Sequence, residues 1–291
     1  MTVYRTLSAL IPQRHKNTIK RGIAFSRRAV PHSHLAPSFM VIGAQKAGTT
    51  SLFKYLIEHR NYLRPLLKDV YFFDRDYQRG LAWYQSFFPT LREVERRAAE
   101  VDGSIVTGEG ATHYLLHPWA PKRMQETYPA MKIVVLLRDP VRRAISHYHH
   151  NVRDGVETAT TALEAFEREA DRVGPDLERM ARDETFYSDD AMTYSYLARG
   201  RYAEQLQRWM NYFPREQFLI MSSERFYKDS DASFREICRF IGIPEKSLPA
   251  YPPEGQGKKQ SKNDGGRDFA QAHFEPHNAQ LVAMLGDEFR W

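Results

Sequence analysis

The chain has 291 residues, enough for one large α/β domain or two small ones, and its 42% hydrophobic and 27% charged content is that of a globular protein. Its one cysteine excludes an internal disulfide. Residues 1–36 hold seven basic residues and no acidic one, and the remainder holds 35 basic and 36 acidic residues, so a nearly neutral body argues against general nucleic-acid binding.

The charge distribution predicts a basic N-terminal extension over residues 1–36 and a single domain over residues 37–291. A targeting peptide, or contact with an anionic surface, is the alternative interpretation of the extension. No apolar run approaches the roughly 18 residues of a membrane span. We therefore expect no membrane-spanning segment and a cytoplasmic location.

The most informative stretch is residues 38–52. An apolar run, Phe39 to Ile42, ends at Gly43, crosses a short loop with Lys46 and Gly48, and enters a helical pattern through three hydroxyl residues, Thr49, Thr50 and Ser51. This pattern predicts a strand, a tight loop and a helix N-terminus. Such a junction presents backbone N–H groups and the positive end of a helix dipole, which together bind a phosphate or a sulfate.

The loop differs from the one that binds ATP or GTP. That motif, G-x-x-x-x-G-K-[ST], has its lysine directly after the second glycine and a hydroxyl residue that holds Mg²⁺. Here Gly43 and Gly48 keep the spacing, but Thr49 occupies the lysine position and the lysine lies inside the loop at Lys46. The sequence predicts an anion site without the magnesium machinery, so a P-loop kinase is only a third, weaker interpretation.

Beyond the loop, strands and helices alternate. The predicted elements up to residue 128 are a helix at 50–60, an aromatic run at 68–74, a core helix at 77–89, a charged helix at 91–101, a strand at 105–107 and a helix ending near 128. Those that follow are a strand at 132–137, a helix from 140, a helical insertion near 155–190, helical segments over 191–213, a strand at 218–221, a helix at 230–241, a mobile loop at 252–266 and a helix at 276–291.

This alternation predicts an α/β fold, a P-loop-like three-layer sandwich with a mainly parallel sheet and helices on both faces. Ligands of such sheets bind beyond the carboxyl ends of the strands. The 43–48 loop and the turn after the strand at 132–137 should share that edge.

A second anion site is predicted at this turn. Arg138 follows the strand where a nucleotide hydrolase usually has an acidic residue, and Ser146 adds a hydroxyl donor on the next helix. Two anion sites suggest a nucleotide with phosphates at both its 5′ and 3′ positions. Asp139 is predicted to cap the helix.

These residues resemble the sulfotransferases that use 3′-phosphoadenosine 5′-phosphosulfate, PAPS, and the domains that act on heparan sulfate most of all. The resemblance runs from about Phe39 to Trp291. The motifs that carry it are 41–50, 137–140 with Ser146, 70–73, 80–84, 87–89 and the basic loop around 257–259.

The resemblance implies PAPS as donor, 3′,5′-ADP as product and no metal. Lys46 would neutralise the oxygen from which the sulfuryl group departs, by electrostatic stabilisation. The cofactor-binding residues it implies are Gln45, Lys46, Ala47, Gly48, Thr49, Thr50, Ser51, Arg138, Ser146, Lys258 and Lys259. A metal site at His147, His149 and His150 is not expected, because neighbouring helical residues point in different directions and no acidic cluster accompanies them.

The acceptor, a glycan or another small molecule with a hydroxyl or amine, also needs a base. Heparan-type enzymes have a glutamate whose matching residue here is Asp69, one methylene shorter. Glu109 and His113 are rival bases, predicted in a loop after a strand. Gly110 stands where some relatives carry a lysine. Asp69 and Gly110 therefore leave an alternative open, a non-catalytic nucleotide-binding protein with the same fold.

Overall fold

A parallel sheet of four strands organises the computed structural model, which describes residues 13–27, 33–248 and 265–291. In order across the sheet the strands are β2 (Gly108–Glu109), β1 (Phe39–Gly43), β3 (Lys132–Leu137) and β4 (Phe218–Ser222). Every pairing is parallel. The carboxyl ends of β1 and β3 therefore lie at one edge of the sheet, as predicted.

The two central strands form the middle of the core. All five residues of β1 are buried, and so are all residues of β3 after Lys132. Continuous apolar strands of this kind occur where helices cover both faces of a sheet. The predicted α/β class, a P-loop-like sandwich, is confirmed.

Helices surround the sheet. Their bounds are α1 (Gln13–Arg27), α2 (Thr49–Ile57), α3 (Leu81–Gln85), α4 (Leu91–Ala98), α5 (Ala120–Thr127), α6 (Pro140–Arg153), α7 (Ala162–Glu167), α8 (Glu169–Arg182), α9 (Asp189–Tyr194), α10 (Tyr202–Met210), α11 (Ser223–Lys228), α12 (Ser230–Ile241) and α13 (Gly266–Leu285). Short 3₁₀ turns lie at Tyr77–Arg79, Ala198–Gly200, Arg215–Gln217 and Asp287–Phe289.

The prediction of the strand beside β1 was wrong by about three residues. Residues 105–107 were expected to form it, whereas β2 begins at Gly108, which pairs with Phe39. A Cβ on Gly108 would lie 2.4 Å from the carbonyl oxygen of Phe39, so the close approach of β1 selects the glycine. Glu109 consequently lies in the strand and not in the loop after it.

The last helix also differs from its prediction. It was expected to begin at Pro276, but α13 begins at Gly266 and carries Pro276 inside it. Ala270 and Phe274, upstream of the proline, are fully buried in a cluster that α6 and α7 share. This burial stabilises the first half of α13 against the proline, which removes one helical hydrogen bond.

The insertion near 155–190 is helical, as expected, and forms α7, α8 and the start of α9. Its apolar residues pack into two small clusters beside the main core. Cys238 is buried in α12, and burial raises the pKa of its thiol to about 12.

Part of the basic extension contacts the body. Ala24 of α1 is buried, and a guanidinium nitrogen of Arg27 lies 3.6 Å from a carboxylate oxygen of Glu93. The division into an extension and a single domain stays a prediction. The predicted loop at 252–266 lies almost wholly outside the described residues.

Candidate active site

The loop between β1 and α2, residues 44–48, is held by main-chain contacts. The N–H of Ala44 donates to the carbonyl oxygen of Leu136 at 2.6 Å. Gly48 has a φ of 99°, and a Cβ there would lie 2.8 Å from the Tyr227 hydroxyl, so conformation and space both require glycine. The first-turn N–H groups of α2 follow and have no side-chain cap. This is the arrangement at which helices bind anions.

Lys46 lies at the centre of this loop. Its φ of 68° is in the left-handed region, which is uncommon for any residue other than glycine. Its carbonyl oxygen accepts a hydrogen bond from Nη1 of Arg138 at 3.1 Å. The structure therefore brings together the two loops that the sequence predicted to share one edge.

Positive charge accumulates around the Lys46 ammonium. Burial lowers its pKa, and the cations Arg153 and Arg138 lower it further against the opposing effect of Asp154. The pKa of His150 is lowered as well, by burial and then by Lys46. Cations gathered this closely repel one another, and an anion bound among them would relieve that repulsion. The residues present thus fit a ligand with several negative charges.

The other predicted donor-binding residues lie along the same edge. Gln45 is half-buried with its Oε1 atom buried and unpaired, Thr50 is exposed, and Ser146 is half-buried in α6. The buried ones are Ala47, Thr49 and Ser51. Their roles in donor binding stay predictions. Lys258 and Lys259 lie outside the described residues.

Two residues of α11 that sequence reasoning missed hold the 44–48 loop and the start of α2 by hydrogen bonds. Oγ of Ser223 donates to the carbonyl oxygen of Ala47 at 2.6 Å, and the Tyr227 hydroxyl lies 3.1 Å from Oγ of Ser51. Both follow β4, whose carboxyl end lies on the same edge of the sheet. Their position after a strand was the signal that could have identified them.

Asp139 caps α6, as predicted. Its Oδ1 atom accepts hydrogen bonds from the N–H groups of Val141 at 2.9 Å and Arg142 at 3.3 Å. Tyr202 adds a bond from its hydroxyl to the carbonyl oxygen of Arg138 at 2.9 Å. The turn that carries Arg138 is therefore fixed on both sides.

Asp69, the first of the candidate bases, pairs with its neighbour. The Lys68 ammonium lies 3.0 Å from Oδ1 of Asp69 and donates to the carbonyl oxygen of Gly110, also at 3.0 Å. A Cβ on Gly110 would lie 2.2 Å from the Phe53 ring, so a larger residue cannot enter without moving that ring. Lys68 thus places a cation beside Gly110.

Glu109, the second candidate, is fully buried at the end of β2. Its carboxyl oxygens accept hydrogen bonds from the N–H of Val70 at 2.7 Å and from the hydroxyls of Tyr114 at 2.8 Å and Tyr84 at 3.1 Å. Burial raises its pKa to about 8. This geometry favours a structural role, in which Glu109 holds the segment that begins at Val70.

His113, the third candidate, stands in the segment after β2. Its ring lies 5.0 Å from the ring of Tyr71, and its Nδ1 atom lies 3.5 Å from a carboxyl oxygen of Asp74. Tyr71 has a φ of 61°, a rare conformation for a bulky residue. Leu115, two residues after His113, donates its N–H to the carbonyl oxygen of Ile42 at 3.1 Å. The structure therefore brings His113 to the edge that carries the Lys46 loop.

Among the residues that the structure describes, no group of three or more His, Cys, Asp or Glu side chains is arranged to hold a metal ion. No helix in those same residues is both long enough and apolar enough to cross a membrane.

A parallel α/β sheet with an anion-binding loop at its carboxyl edge defines the broad class of this protein, a P-loop-like transferase fold. Residues 36–254 match the family described as "Sulfotransferase domain". The chain belongs to this sulfotransferase family and is a sulfuryl-transferring enzyme. The predicted resemblance is confirmed.

Similar proteins and a solved structure agree with this family assignment. The chain is 29% identical over 281 residues to mouse heparan sulfate glucosamine 3-O-sulfotransferase 6, an alignment that covers 88% of this chain and 73% of that protein. It is 30% identical to the human bifunctional heparan sulfate N-deacetylase/N-sulfotransferase 3, covering 86% of this chain and 30% of that one. A sulfotransferase crystal structure from Alicyclobacillus acidocaldarius matches with a TM-score of 0.61 and 28% identity, over 86% of this chain and 96% of that chain.

Proposed function

We propose that the sulfuryl donor is PAPS and that 3′,5′-ADP is the product that remains on the enzyme. The observation that carries this proposal is the position of Lys46, held through its carbonyl by Arg138 in a loop that ends at a helix N-terminus. The loop suits the 5′-phosphosulfate. Arg138 and Ser146 suit the 3′-phosphate, because a guanidinium matches a phosphate with two parallel donors.

In the proposed reaction the bond between sulfur and the bridging phosphate oxygen breaks, and a new bond forms from sulfur to the acceptor oxygen or nitrogen. The acceptor loses a proton to a base on the protein. Negative charge grows on the bridging oxygen during this transfer, and a fixed cation there stabilises the transition state. Lys46 is the cation for this role. The absence of a metal requirement stays a prediction.

The proposed acceptor is a hydroxyl or an amine of a glycan. The two relatives described above are named for O- and N-sulfation of heparan sulfate. The segment at 68–75 offers the Tyr71 ring, the guanidinium of Arg75 5.0 Å from that ring, and the Lys68 ammonium. Cations beside an aromatic surface suit a negatively charged sugar chain.

The test combines calorimetry with a transfer assay. We expect 3′,5′-ADP to bind more tightly than 5′-AMP, which lacks the 3′-phosphate. Labelled PAPS should then sulfate at least one member of a panel of desulfated and N-sulfated heparan oligosaccharides. Binding without transfer to any member of the panel would contradict the proposed glycan acceptor, and equal affinity for the two nucleotides would contradict the proposed 3′-phosphate site.

The cytoplasmic location expected from the sequence stays a prediction. Fractionation of cells that express the chain, followed by immunoblotting of the soluble and membrane fractions, would test it.

A further inference from the structure

A buried carboxyl group without a hydrogen-bond partner lies next to the acceptor side of the site. The side chain of Asp74 has no solvent exposure, and both of its oxygens are buried and unpaired within the described part of the chain. Arg123 donates to the main-chain oxygens of Phe73 and Asp74 and not to this carboxyl group. A buried carboxyl group is costly unless it has a partner, so a polar side chain that lies close to it becomes important.

That neighbour is His113. Its Nδ1 atom is also buried and without a hydrogen bond, and it lies 3.5 Å from Oδ2 of Asp74. The separation is longer than a hydrogen bond, as is common for catalytic pairs before a substrate closes the site. An Nδ1–H directed at Asp74 would give Nδ1 of His113 and Oδ2 of Asp74 a hydrogen-bond partner.

The other face of His113 is accessible. Its side chain is 20% exposed, and its Nε2 atom is not among the buried unpaired atoms. The ring packs against Tyr71 with the two ring planes tilted by 40°, and the left-handed backbone of Tyr71 is held by N–H groups of Arg75 and Asp76 that donate to the Tyr71 carbonyl oxygen. Strained conformations of this kind concentrate at functional sites. The imidazole is thus fixed on one side and open on the other.

We propose that His113 is the base that deprotonates the acceptor, and that Asp74 is a positioning residue that holds its Nδ1–H and leaves the Nε2 lone pair free. This inference rests on the proposed sulfuryl transfer and selects one of its three candidate bases. Asp69 is tied to Lys68 at 3.0 Å, and Glu109 is fully buried with three hydrogen-bond donors.

The step balances without any further reactant. Nε2 of His113 accepts the proton of the acceptor O–H or N–H as the acceptor atom forms its bond to sulfur. The bond from sulfur to the bridging phosphate oxygen breaks, and its electron pair leaves with 3′,5′-ADP. The imidazolium that forms is stabilised by the carboxyl group of Asp74 and later loses its proton to water.

The surroundings of His113 keep its imidazole neutral, the form that can accept a proton. Burial lowers its pKa below the ordinary 6.5, Asp74 opposes this effect, and Arg199 adds to it. The imidazole is therefore neutral at pH 7. The charged, titratable and aromatic groups that face it are Asp74, Asp69, Tyr71, His117 and Arg199.

The first experiment measures kcat, the KM for acceptor, and 3′,5′-ADP binding in four variants. We expect His113→Ala and Asp74→Asn each to lower kcat by about 10²-fold or more, with little change in nucleotide affinity. Asp69→Asn should keep kcat within roughly a factor of ten of the wild-type value. Loss of the residue that acts as the base would cost more than that. Asp190→Asn is the matched control, because that aspartate is exposed in α9, outside the segments that carry Asp74 and His113.

The second experiment separates positioning from simple loss of structure. In wild-type protein with 3′,5′-ADP, ¹⁵N NMR of the imidazole should show the proton of His113 on Nδ1, and Asp74→Asn should weaken that preference. The acid limb of the pH profile should lie below pH 6.5 and move lower in Asp74→Asn, because the group that raises the pKa of His113 is gone. Added imidazole should partly restore His113→Ala.

Different results would contradict the role of His113, the role of Asp74 and the proposed function. Wild-type kcat in His113→Ala, together with inactive Asp69→Asn, would overturn the inference while sulfuryl transfer stands. Unchanged imidazole tautomer and pH profile in Asp74→Asn would overturn the role of Asp74. Absence of both 3′,5′-ADP binding and transfer in the wild-type enzyme would instead overturn the proposed function.

Discussion

At the scale of single residues, Lys46 combines a left-handed backbone, a carbonyl held by Arg138 and a side chain whose pKa is lowered by burial and neighbouring cations. A lysine in an ordinary surface loop has none of these properties. Repulsion from Arg153 and Arg138 means that the ammonium interacts more favourably as negative charge increases nearby.

Replacement of Lys46 by alanine should therefore affect the chemical step more than donor binding. We expect Lys46→Ala to lower kcat by about 10²–10³-fold, the usual effect of removing one stabilising donor from a transition state. Steady-state kinetics with labelled PAPS would measure it. Lys228→Ala, an exposed lysine of α11, is the control. A large rise in KM with unchanged kcat would contradict this prediction.

Replacement of Arg138 should affect donor binding more than the chemical step. The charged hydrogen bonds proposed between Arg138 and the 3′-phosphate are worth about 1.5–3 kcal/mol, so Arg138→Ala should weaken 3′,5′-ADP binding by roughly 10–100-fold. Arg138→Lys keeps the charge but loses the planar guanidinium, and we expect an intermediate effect. Calorimetry measures both variants, and wild-type affinity in Arg138→Ala would exclude the assigned contact.

At the scale of elements, strand β2 and the segment at 69–76 are fastened by one side chain. Glu109 accepts hydrogen bonds from Val70, Tyr84 and Tyr114, and the Tyr114 hydroxyl also accepts the N–H of Phe72 at 2.9 Å. These bonds position the segment that carries Asp69, Tyr71 and Asp74. The buried glutamate therefore shapes the proposed acceptor side while its own carboxyl group stays away from solvent.

The raised pKa of Glu109 predicts how stability depends on pH. Its pKa rises from 4.5 to about 8 on folding because of burial, so the unfolded chain releases this proton first. The stabilisation is complete below about pH 4.5 and decreases as pH rises through about 8. Urea unfolding at pH 6 and pH 8.5 should show a loss in wild type that is smaller in Glu109→Gln. Equal losses in the two proteins would contradict this assignment.

The contact between Gly110 and Phe53 gives a second prediction for this region. A Cβ there would lie 2.2 Å from the ring, so Gly110→Ala should destabilise the fold by about 1–3 kcal/mol. Gly174→Ala is the control, because nothing lies within 4 Å of a Cβ at that helical position. We expect that control to be neutral or slightly stabilising in denaturant unfolding.

At the scale of the whole molecule, the cations of the donor site should make stability depend on nucleotide. The Lys46, Arg138 and Arg153 side chains repel one another in the free protein, and a bound polyanion removes that repulsion. We expect 3′,5′-ADP at about 100 times its Kd to stabilise the fold by about 2.7 kcal/mol, and less at high salt. Thermal unfolding at several nucleotide concentrations tests this, and an unchanged Tm would contradict it.

The fold class was predictable because its main signals are local. The apolar run at 132–137 became β3 with the same bounds, and the run that begins at Phe39 became β1. The helix predicted at 77–89 was wrong in length, because the structure has a 3₁₀ turn at Tyr77–Arg79 and the short helix α3 at Leu81–Gln85. Two further boundaries were wrong where tertiary packing overrides local pattern. Gly108 entered the sheet because β1 approaches its backbone, and α13 extended past Pro276 because Phe274 is buried against α6 and α7.

The sequence by itself determined the anion-binding loop of this enzyme, because Gly43, Lys46 and Gly48 lie within six residues of one another and local backbone geometry brings them together. Only the tertiary structure decided how the candidate bases are arranged. In this arrangement, residues about 40 positions apart meet, Val70 with Glu109 through a hydrogen bond and Asp74 with His113 at 3.5 Å, and the fold buries the glutamate while it leaves the histidine partly exposed. Residue types alone do not reveal burial, and burial decides which of these groups can receive a proton.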